Sequence, residues 1–332
     1  TVMTNKPILV LGAGSWGTAL ALVLARNNHD VYLWDINQEL VQQLKHARVN
    51  QRYIPDVTLP DNIYPVETLD SVPGETELFV MATPCFALRD SLALLCDFKS
   101  KRICLACKGF ESGTQKLNHV VVQEVLDDCD IGVLTGPTFA KEVAGNSPTA
   151  VTIAAKDLET AQQFADYFHD DYFRVYTHND MVGAQVGGAV KNVMAIAAGI
   201  ADGLGFGSNT RAALITRGLY EITQLGMALG ANQETFRGLS GLGDLVLTCT
   251  DDQSRNRRLG LLLAQGLSID EASEKIGQAI EGIKTAFEVT ELAKTHKIEM
   301  PITEQVNNLL LQKCTPKEAL QNLLSREQTT EN

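Results

Sequence analysis

Apolar positions in the first half of the chain fall into short continuous runs, each closed by a glycine, a polar turn or an acid. Ile8-Leu9-Val10-Leu11 reads as a buried strand, followed by Gly12, Gly14 and Gly17 and an alanine-rich helix over 18–27. A second run, Val31 to Trp34, ends on Asp35. Further strands are expected at 77–82, 103–107, 131–135, 149–154 and 173–176. Helices are expected at 38–46, 86–96, 116–126 and 157–167, and 48–60 reads as loop. Alternation at these lengths predicts a parallel sheet covered on both faces. Near 178–190 the texture changes, and from there helical periodicity continues with almost no strand signal. A polar tail at 328–332 is expected to fray.

Strand, glycine turn, helix, strand and acid, in that order, make a dinucleotide-binding βαβ unit. Gly12 allows the tight turn, Gly14 leaves the pyrophosphate unobstructed, and Gly17 lets the helix lie close on the sheet. The pyrophosphate then meets the free N–H groups and positive end of the helix. The expected fold is therefore α/β: a Rossmann-type doubly wound sheet domain over residues 1–182, then an all-α domain over 183–332. Asp35 can accept hydrogen bonds from the adenosine ribose and repel a 2′-phosphate. No arginine follows in Ile36-Asn37, which favours NAD over NADP. The same acid could cap the 38–46 helix, and both roles can coexist. Tyr53 either lays its ring near the cofactor or packs under its loop.

Ligands of such sheets collect at the carboxyl ends of the strands, where Gly17, Thr83, Lys108 and Gly136 should lie. A lysine directly after a buried strand, as Lys108 is, suits an anionic ligand. Pro137 reads as a first helical residue, so 136–140 offers a second helix N-terminus. Reducing a carbonyl also needs a proton donor. The stretch 183–203 is nearly all small or apolar, and Lys191 is its only cation. A charge there is costly unless it is paired or its pKa falls, which makes Lys191 the first choice of acid–base residue. Asn192, about 100° round the helix, could touch the cofactor. Asp244 and Thr248 share a face if helical, and Asp244 could pair with the lysine or bind a substrate hydroxyl. Ser254, Arg255 and Asn256 at a helix start make a phosphate site. Arg257 and Arg258 are expected on the solvated surface. Glu281 either hydrogen-bonds the cofactor or begins a helix over 283–294.

The apolar fraction of 45% suits a full globular core, and the net charge of −12 argues against duplex nucleic acid or an anionic membrane as partner. In this acidic chain, 254–258 is a local basic exception. No apolar run is expected to be long and uncharged enough to span a bilayer, and the first seven residues carry no secretory pattern, which points to the cytoplasm. The seven cysteines are scattered, and Cys104 and Cys107 should point to opposite faces of a strand as buried spectators. The histidines show no zinc spacing, so no metal site is expected.

Assembled, these residues resemble NAD(P)-dependent glycerol-3-phosphate dehydrogenase of the bacterial type, over essentially the whole chain. The resemblance rests on Gly12-Ala13-Gly14-Ser15-Trp16-Gly17-Thr18-Ala19, Lys108-Gly109, Gly136-Pro137-Thr138-Phe139-Ala140, Gly187-Gly188-Ala189-Val190-Lys191-Asn192, Gly241-Leu242-Gly243-Asp244 and Ser254-Arg255-Asn256. It implies reversible reduction of dihydroxyacetone phosphate to sn-glycerol 3-phosphate, feeding glycerophospholipid synthesis, in a cytoplasmic homodimer. It implies Lys191 as proton acceptor in the oxidation direction. Lys108, Gly136, Thr138, Asp244, Ser254, Arg255 and Asn256 would contact the substrate. Ser15, Trp16, Lys108, Ala140, Arg255, Ala279 and Glu281 would line NAD(H) or NADP(H). Many bacterial members lack an acid at the place of Asp35 and accept NADPH. Two other readings share these features in part: a 3-hydroxyacid dehydrogenase with a carboxylate substrate, and an NAD(H)-holding redox sensor.

Overall fold

Ile8, Leu9, Val10 and Leu11 are all buried, and their strand has a parallel neighbour on each side. The computed structural model describes residues 6–99 and 101–326, so the tail expected at 328–332 lies outside the described residues. The chain divides into two compact units, Thr1–Glu111 with Lys116–Gln185, and Ser112–Gln115 with Val186–Asn332. The strands are β1 (Ile8–Leu11), β2 (Val31–Trp34), β3 (Val49–Asn50), β4 (Ile54–Thr58), β5 (Ile63–Val66), β6 (Leu78–Met81), β7 (Arg102–Leu105), β8 (Asp130–Thr135), β9 (Thr149–Ala155) and β10 (Phe173–His178). The helices of the first unit are α1 (Ser15–Arg26), α2 (Gln38–Ala47), α3 (Leu88–Ala93), α4 (Asn118–Val125), α5 (Ala140–Ala144) and α6 (Leu158–Phe168). From α7 (Met181–Gly203) the chain continues as α8 (Ser208–Ala228), α9 (Asp244–Thr250), α10 (Arg255–Ala264), α11 (Ile269–Ile276), α12 (Glu281–His296), α13 (Pro301–Leu310) and α14 (Pro316–Leu324).

Eight strands form one sheet in the order β10-β9-β8-β7-β6-β1-β2-β5. Along β1 successive side chains enter opposite layers. Ile8 and Val10 join Leu20, Leu24, Leu44 and Phe164, whereas Leu9 and Leu11 join Leu88, Leu92 and Val122. The period of two therefore buries the strand on both faces, as a continuous apolar run requires.

The sheet is not wholly parallel: β8 and β9 run antiparallel. The link between them holds only the five-residue α5. At 1.5 Å per residue such a helix cannot carry the chain back along a strand about 20 Å long, so no parallel crossover forms. The sequence reading also missed β5 beside β2. It is a short edge strand interrupted by Pro65, a residue that sheets tolerate at an edge. The expected loop at 48–60 contains the β3–β4 hairpin, and the helix expected at 86–96 shrinks to a 3-10 turn at Cys85–Ala87 and the six-residue α3.

Among its described residues the second unit contains helices and no strand. By length and composition α7 is apolar enough to cross a membrane, which corrects the expectation that no such run exists. Its most apolar eighteen-residue window is entirely buried within the protein. The segment Ser112–Gln115 is fastened to α12, where Glu288 accepts hydrogen bonds from the Gly113 N–H at 3.1 Å and from Gln115 Nε2 at 2.5 Å. The ends of α11 and α14 carry reciprocal Ser268–Glu271 and Thr315–Glu318 caps.

Glu221 on α8 is buried and accepts from the N–H groups of Ile302 and Thr303 and from the Thr303 hydroxyl, so a carboxyl group caps α13. Burial pushes its pKa from 4.5 up to about 7, against the lowering effect of those hydrogen bonds. The folded state therefore holds a proton that the unfolded chain has released. This group's contribution to stability is fully present below about pH 4.5 and is lost as pH rises through that window towards 7. The loss amounts to roughly 3 kcal/mol. Glu221→Gln should remove this slope. The melting temperature of the wild type, relative to the variant, should drop between pH 5 and pH 8. A constant difference across that range would refute the assignment.

Candidate active site

The first group of site residues surrounds the turn from β1 into α1. Gly12 has φ +104°, and a Cβ there would lie 2.7 Å from the Ala82 carbonyl oxygen. A Cβ on Gly17 would overlap the Gly12 carbonyl oxygen, whereas one on Gly14 would meet nothing within 4 Å. The three glycines thus serve conformation, close approach and open space in turn. Gly14 caps α1 without a side-chain hydrogen bond, and the first turn, starting Ser15-Trp16-Gly17, carries no acid. Its orphan N–H groups and the helix dipole are left for an anion. The buried Trp16 Nε1 has no protein partner.

Both peptide groups of Ala13 are gripped. Asp35 Oδ2 accepts from the Ala13 N–H at 2.7 Å, and Asn50 Nδ2 donates to the Ala13 carbonyl at 2.9 Å and to Thr18 Oγ1 at 2.8 Å. Asp35 Oδ1 also accepts from the Asn37 N–H at 2.8 Å. The cap of α2 is Asn37, which accepts from the Leu40 N–H, so the alternative of Asp35 as that cap is corrected. Asn50 was not visible from sequence, because a buried amide inside an expected loop has no spacing signal. Tyr53 packs against the apolar cluster that contains Ala13, with the Arg52 guanidinium 5.2 Å from its ring centroid.

A second group follows β7 and β8. Lys108 Nζ donates to the Gly136 carbonyl at 3.1 Å, and Thr138 Oγ1 donates to the same oxygen at 3.2 Å. Gly136 has φ +137°. Pro137 is not a first helical residue: α5 begins at Ala140, capped by Phe139. The chain spends 136–139 in the bend that reverses β8 into its antiparallel neighbour. Arg26 holds the far end of α5, donating to Val143 O at 3.0 Å and to Asn146 Oδ1 at 3.1 Å. Beside this group Asn118 Nδ2 lies 3.4 Å from the sulfurs of Cys85 and Cys107. Burial pushes the Cys104 thiol well above its ordinary value, and all seven cysteines are free.

The second unit carries the remaining residues. Lys191, 6% exposed on α7, donates to Oδ1 of Asp244, which is fully buried. A Cβ on Gly187 would overlap the Ser240 carbonyl. This close approach seats the π-helical turn Leu239–Gly243 against α7, and Asp244 opens α9 directly after it. Thr248 lies on the same face, as the spacing requires, and donates to the Asp244 carbonyl at 2.6 Å. Burial pushes the neighbouring Cys249 thiol up to about 12, although Lys191 and Arg257 pull it down. That thiol therefore stays protonated.

Ser254 caps α10, its Oγ accepting from the Arg257 N–H at 3.2 Å. Asn256 Oδ1 accepts from the Gly282 N–H at 2.9 Å, which fixes the start of α12 beside α10. Glu281 is thereby held in the field of Arg255. Burial raises its carboxyl pKa, and Arg255 and Lys284 partly offset the rise. Ala279 is exposed in the link before α12. Arg257 is corrected as well: it is 7% exposed and paired with carboxylates, not solvated surface, and Nε of the half-buried Arg258 is buried beside it.

Two family models cover most of the chain. The NAD-dependent glycerol-3-phosphate dehydrogenase N-terminal model matches residues 7–161, and the corresponding C-terminal model matches 180–321. A glycerol-3-phosphate dehydrogenase [NAD(P)+] of Bartonella henselae is 49% identical, over 96% of this chain and 95% of the relative. One from Pseudoalteromonas translucida is 50% identical over 98% and 99%. Among solved structures, glycerol-3-phosphate dehydrogenase from Coxiella burnetii superposes with a TM-score of 0.94 at 44% identity, covering 97% of this chain and 99% of that one. By full-length identity and fold together, the chain belongs to the NAD-dependent glycerol-3-phosphate dehydrogenase family.

Proposed function

We propose that the chain catalyses the reversible reduction of dihydroxyacetone phosphate to sn-glycerol 3-phosphate with NADH or NADPH, and that Lys191 moves the proton. The observation that carries this reading is the buried Lys191–Asp244 pair in the same unit as the Ser254-Arg255-Asn256 helix start. Residues 1–182 serve as the cofactor domain and 183–332 as the helical substrate and catalytic domain.

The glycine turn fits a dinucleotide. The space above Gly14 is open, the first turn of α1 offers unopposed N–H groups, and Asp35 and Asn50 hold Ala13 from both sides. Gly12, Gly14, Ser15, Trp16, Gly17, Asp35 and Tyr53 would hold the cofactor, with Lys108, Ala140, Arg255, Ala279 and Glu281. The bound nicotinamide supplies the hydride. Lys191 Nζ, oriented by its hydrogen bond to Asp244, gives its proton to the carbonyl oxygen as the carbon is reduced, and takes it back in oxidation. Arg255, Ser254 and Asn256 receive the phosphate, with Lys108, Gly136 and Thr138 as further substrate contacts. The substrate is thus a small phosphate ester, with no nucleic acid partner. The protein works as a cytoplasmic homodimer, and its product feeds glycerophospholipid synthesis.

The direct test follows NADH absorbance with dihydroxyacetone phosphate and with a 3-oxo carboxylate. Oxidation with the phosphate alone is expected, and no oxidation with it would end this reading. NADH should outperform NADPH, because the Asp35 carboxylate repels a 2′-phosphate. Asp35→Ser should raise the KM for both cofactors, since the Ala13 tether is weakened. The NADPH-to-NADH ratio of KM should fall about tenfold with loss of that repulsion. An unchanged ratio would remove Asp35 from cofactor choice.

A further inference from the structure

We propose that Arg257 is a positioning residue for the phosphate turn. Its guanidinium locks the register of α10 against α7 and thereby sets affinity for the substrate phosphate. This rests on the reading above that Ser254, Arg255 and Asn256 receive that phosphate.

Helices α7 and α10 meet backbone to backbone. A Cβ on Gly199 would overlap the Arg257 carbonyl oxygen, and one on Gly260 would overlap that of Ile196. Further along, a Cβ on Gly203 would press into the Ala264 side chain. Contact between such smooth surfaces brings the helices close but offers few interlocking side chains to stop one sliding along the other. The register needs another lock. Arg257 supplies one from the first turn of α10. Its Nη1 donates to Asp202 in the last turn of α7 and to the Cys249 carbonyl of α9 at 3.2 Å, while Nε donates to Asp252 at 2.9 Å. Asp202 is shared with Arg211 of α8 at 2.8 Å. One planar guanidinium thus ties α10 to both neighbouring helices and to the loop before it.

The location of this pair argues for geometry over stability. The Arg257 side chain is 9% exposed and that of Asp202 11%. Desolvating two charges offsets most of their attraction, so a buried pair is weak evidence of stabilisation and better evidence of a fixed arrangement. Burial works against the charge on Arg257, but the hydrogen bonds it donates to Asp202 and Asp252 outweigh it and hold the guanidinium protonated. The consequence reaches the phosphate turn directly. Ser254 Oγ is oriented by the Arg257 N–H, and the adjacent Asn256 sets the start of α12 through Gly282. If Arg257 let α10 slip, Ser254, Arg255 and Asn256 would move together, and Glu281 with them.

The test compares wild type, Arg257→Ala, Arg257→Lys and Asp202→Asn, each also combined with Arg255→Ala. It measures kcat, the KM for dihydroxyacetone phosphate, the KM for NADH and the melting temperature. Arg257→Ala should raise the KM for dihydroxyacetone phosphate about tenfold and that for NADH by less, through Arg255 and Glu281, while kcat stays within about twofold. Arg257→Lys should recover part of the loss, since an ammonium can satisfy one of the three acceptors but not the planar fork. In the Arg255→Ala background the effect of Arg257→Ala should shrink, because the charged member of the positioned turn is gone and only Ser254 and Asn256 remain to be displaced. The proposal is overturned if kcat and both KM values shift together with the melting temperature, or if the Arg257 effect is undiminished without Arg255. Should Arg257→Ala fail to fold, Asp202→Asn keeps the side-chain shape and carries the same comparison. If Arg255→Ala itself leaves the KM for dihydroxyacetone phosphate unchanged, the phosphate reading falls and this proposal with it. A raised KM in Arg255→Ala beside an unchanged one in Arg257→Ala overturns the proposal alone.

Discussion

Lys191→Ala is expected to lower kcat by roughly 10²–10⁴-fold, the usual contribution of a positioned general acid, while NADH still binds. Without the ammonium, the oxygen of the reduced carbon must take its proton from water. The variant also removes the ion-pair partner of the fully buried Asp244, and removing one member of such a pair costs on the order of 3–5 kcal/mol. Stability and chemistry must therefore be read separately. Lys191→Met with Asp244→Asn removes both charges and should melt closer to wild type, yet remain as inactive as the alanine variant. Lys191→Arg keeps a cation opposite Asp244 but gives up a proton too reluctantly to act as an acid, so it should fold without turning over. NADH binding, followed by fluorescence, should stay within a few-fold in all three. Near-normal kcat in Lys191→Ala would remove this residue from the chemistry.

Lys191 was legible because it is the only cation in 183–203, a pattern that needs no knowledge of contacts. Its partner was legible only as one of two options. What selects the ion pair is the backbone approach of Gly187 to Ser240, a tertiary fact that no local period encodes. The same boundary runs through the fold. Strands buried on both faces announce themselves as apolar runs, so β1, β2, β6 and β7 could be read directly. The direction of β9 depends on the length of α5, and β5 is a short edge strand containing Pro65, so neither has a periodic signature. Arg257 was misread because a charged residue beside Arg258 on a helix resembles a solvated face. Only the distant Asp202 marks it as buried. Asp35 was read for its outward chemistry, and the structure adds that its oxygens also accept from the Ala13 and Asn37 N–H groups.

Arg255→Ala is the complementary case, a large effect on binding with little on folding. Arg255 is the first residue of α10, where a cation opposes the positive end of the helix dipole, so its presence there does not serve the helix. Hydrogen bonds to a charged group are worth about 1.5–3 kcal/mol, which makes the expected rise in the KM for dihydroxyacetone phosphate roughly 10–150-fold. The melting temperature should change little, since relief of the unfavourable dipole contact opposes the lost attraction between Arg255 and Glu281. The second consequence concerns Glu281. Burial already raises its carboxyl, and Arg255 is the strongest influence opposing that rise, so the variant should push it higher still. If a charged Glu281 helps hold the cofactor, the KM for NADH in Arg255→Ala should rise more steeply than in wild type as pH is lowered, because more of the carboxyl is then protonated. A phosphate role without the Glu281 coupling predicts parallel pH profiles displaced only in the KM for dihydroxyacetone phosphate. Equal KM values for that substrate in wild type and variant would reject the phosphate role itself.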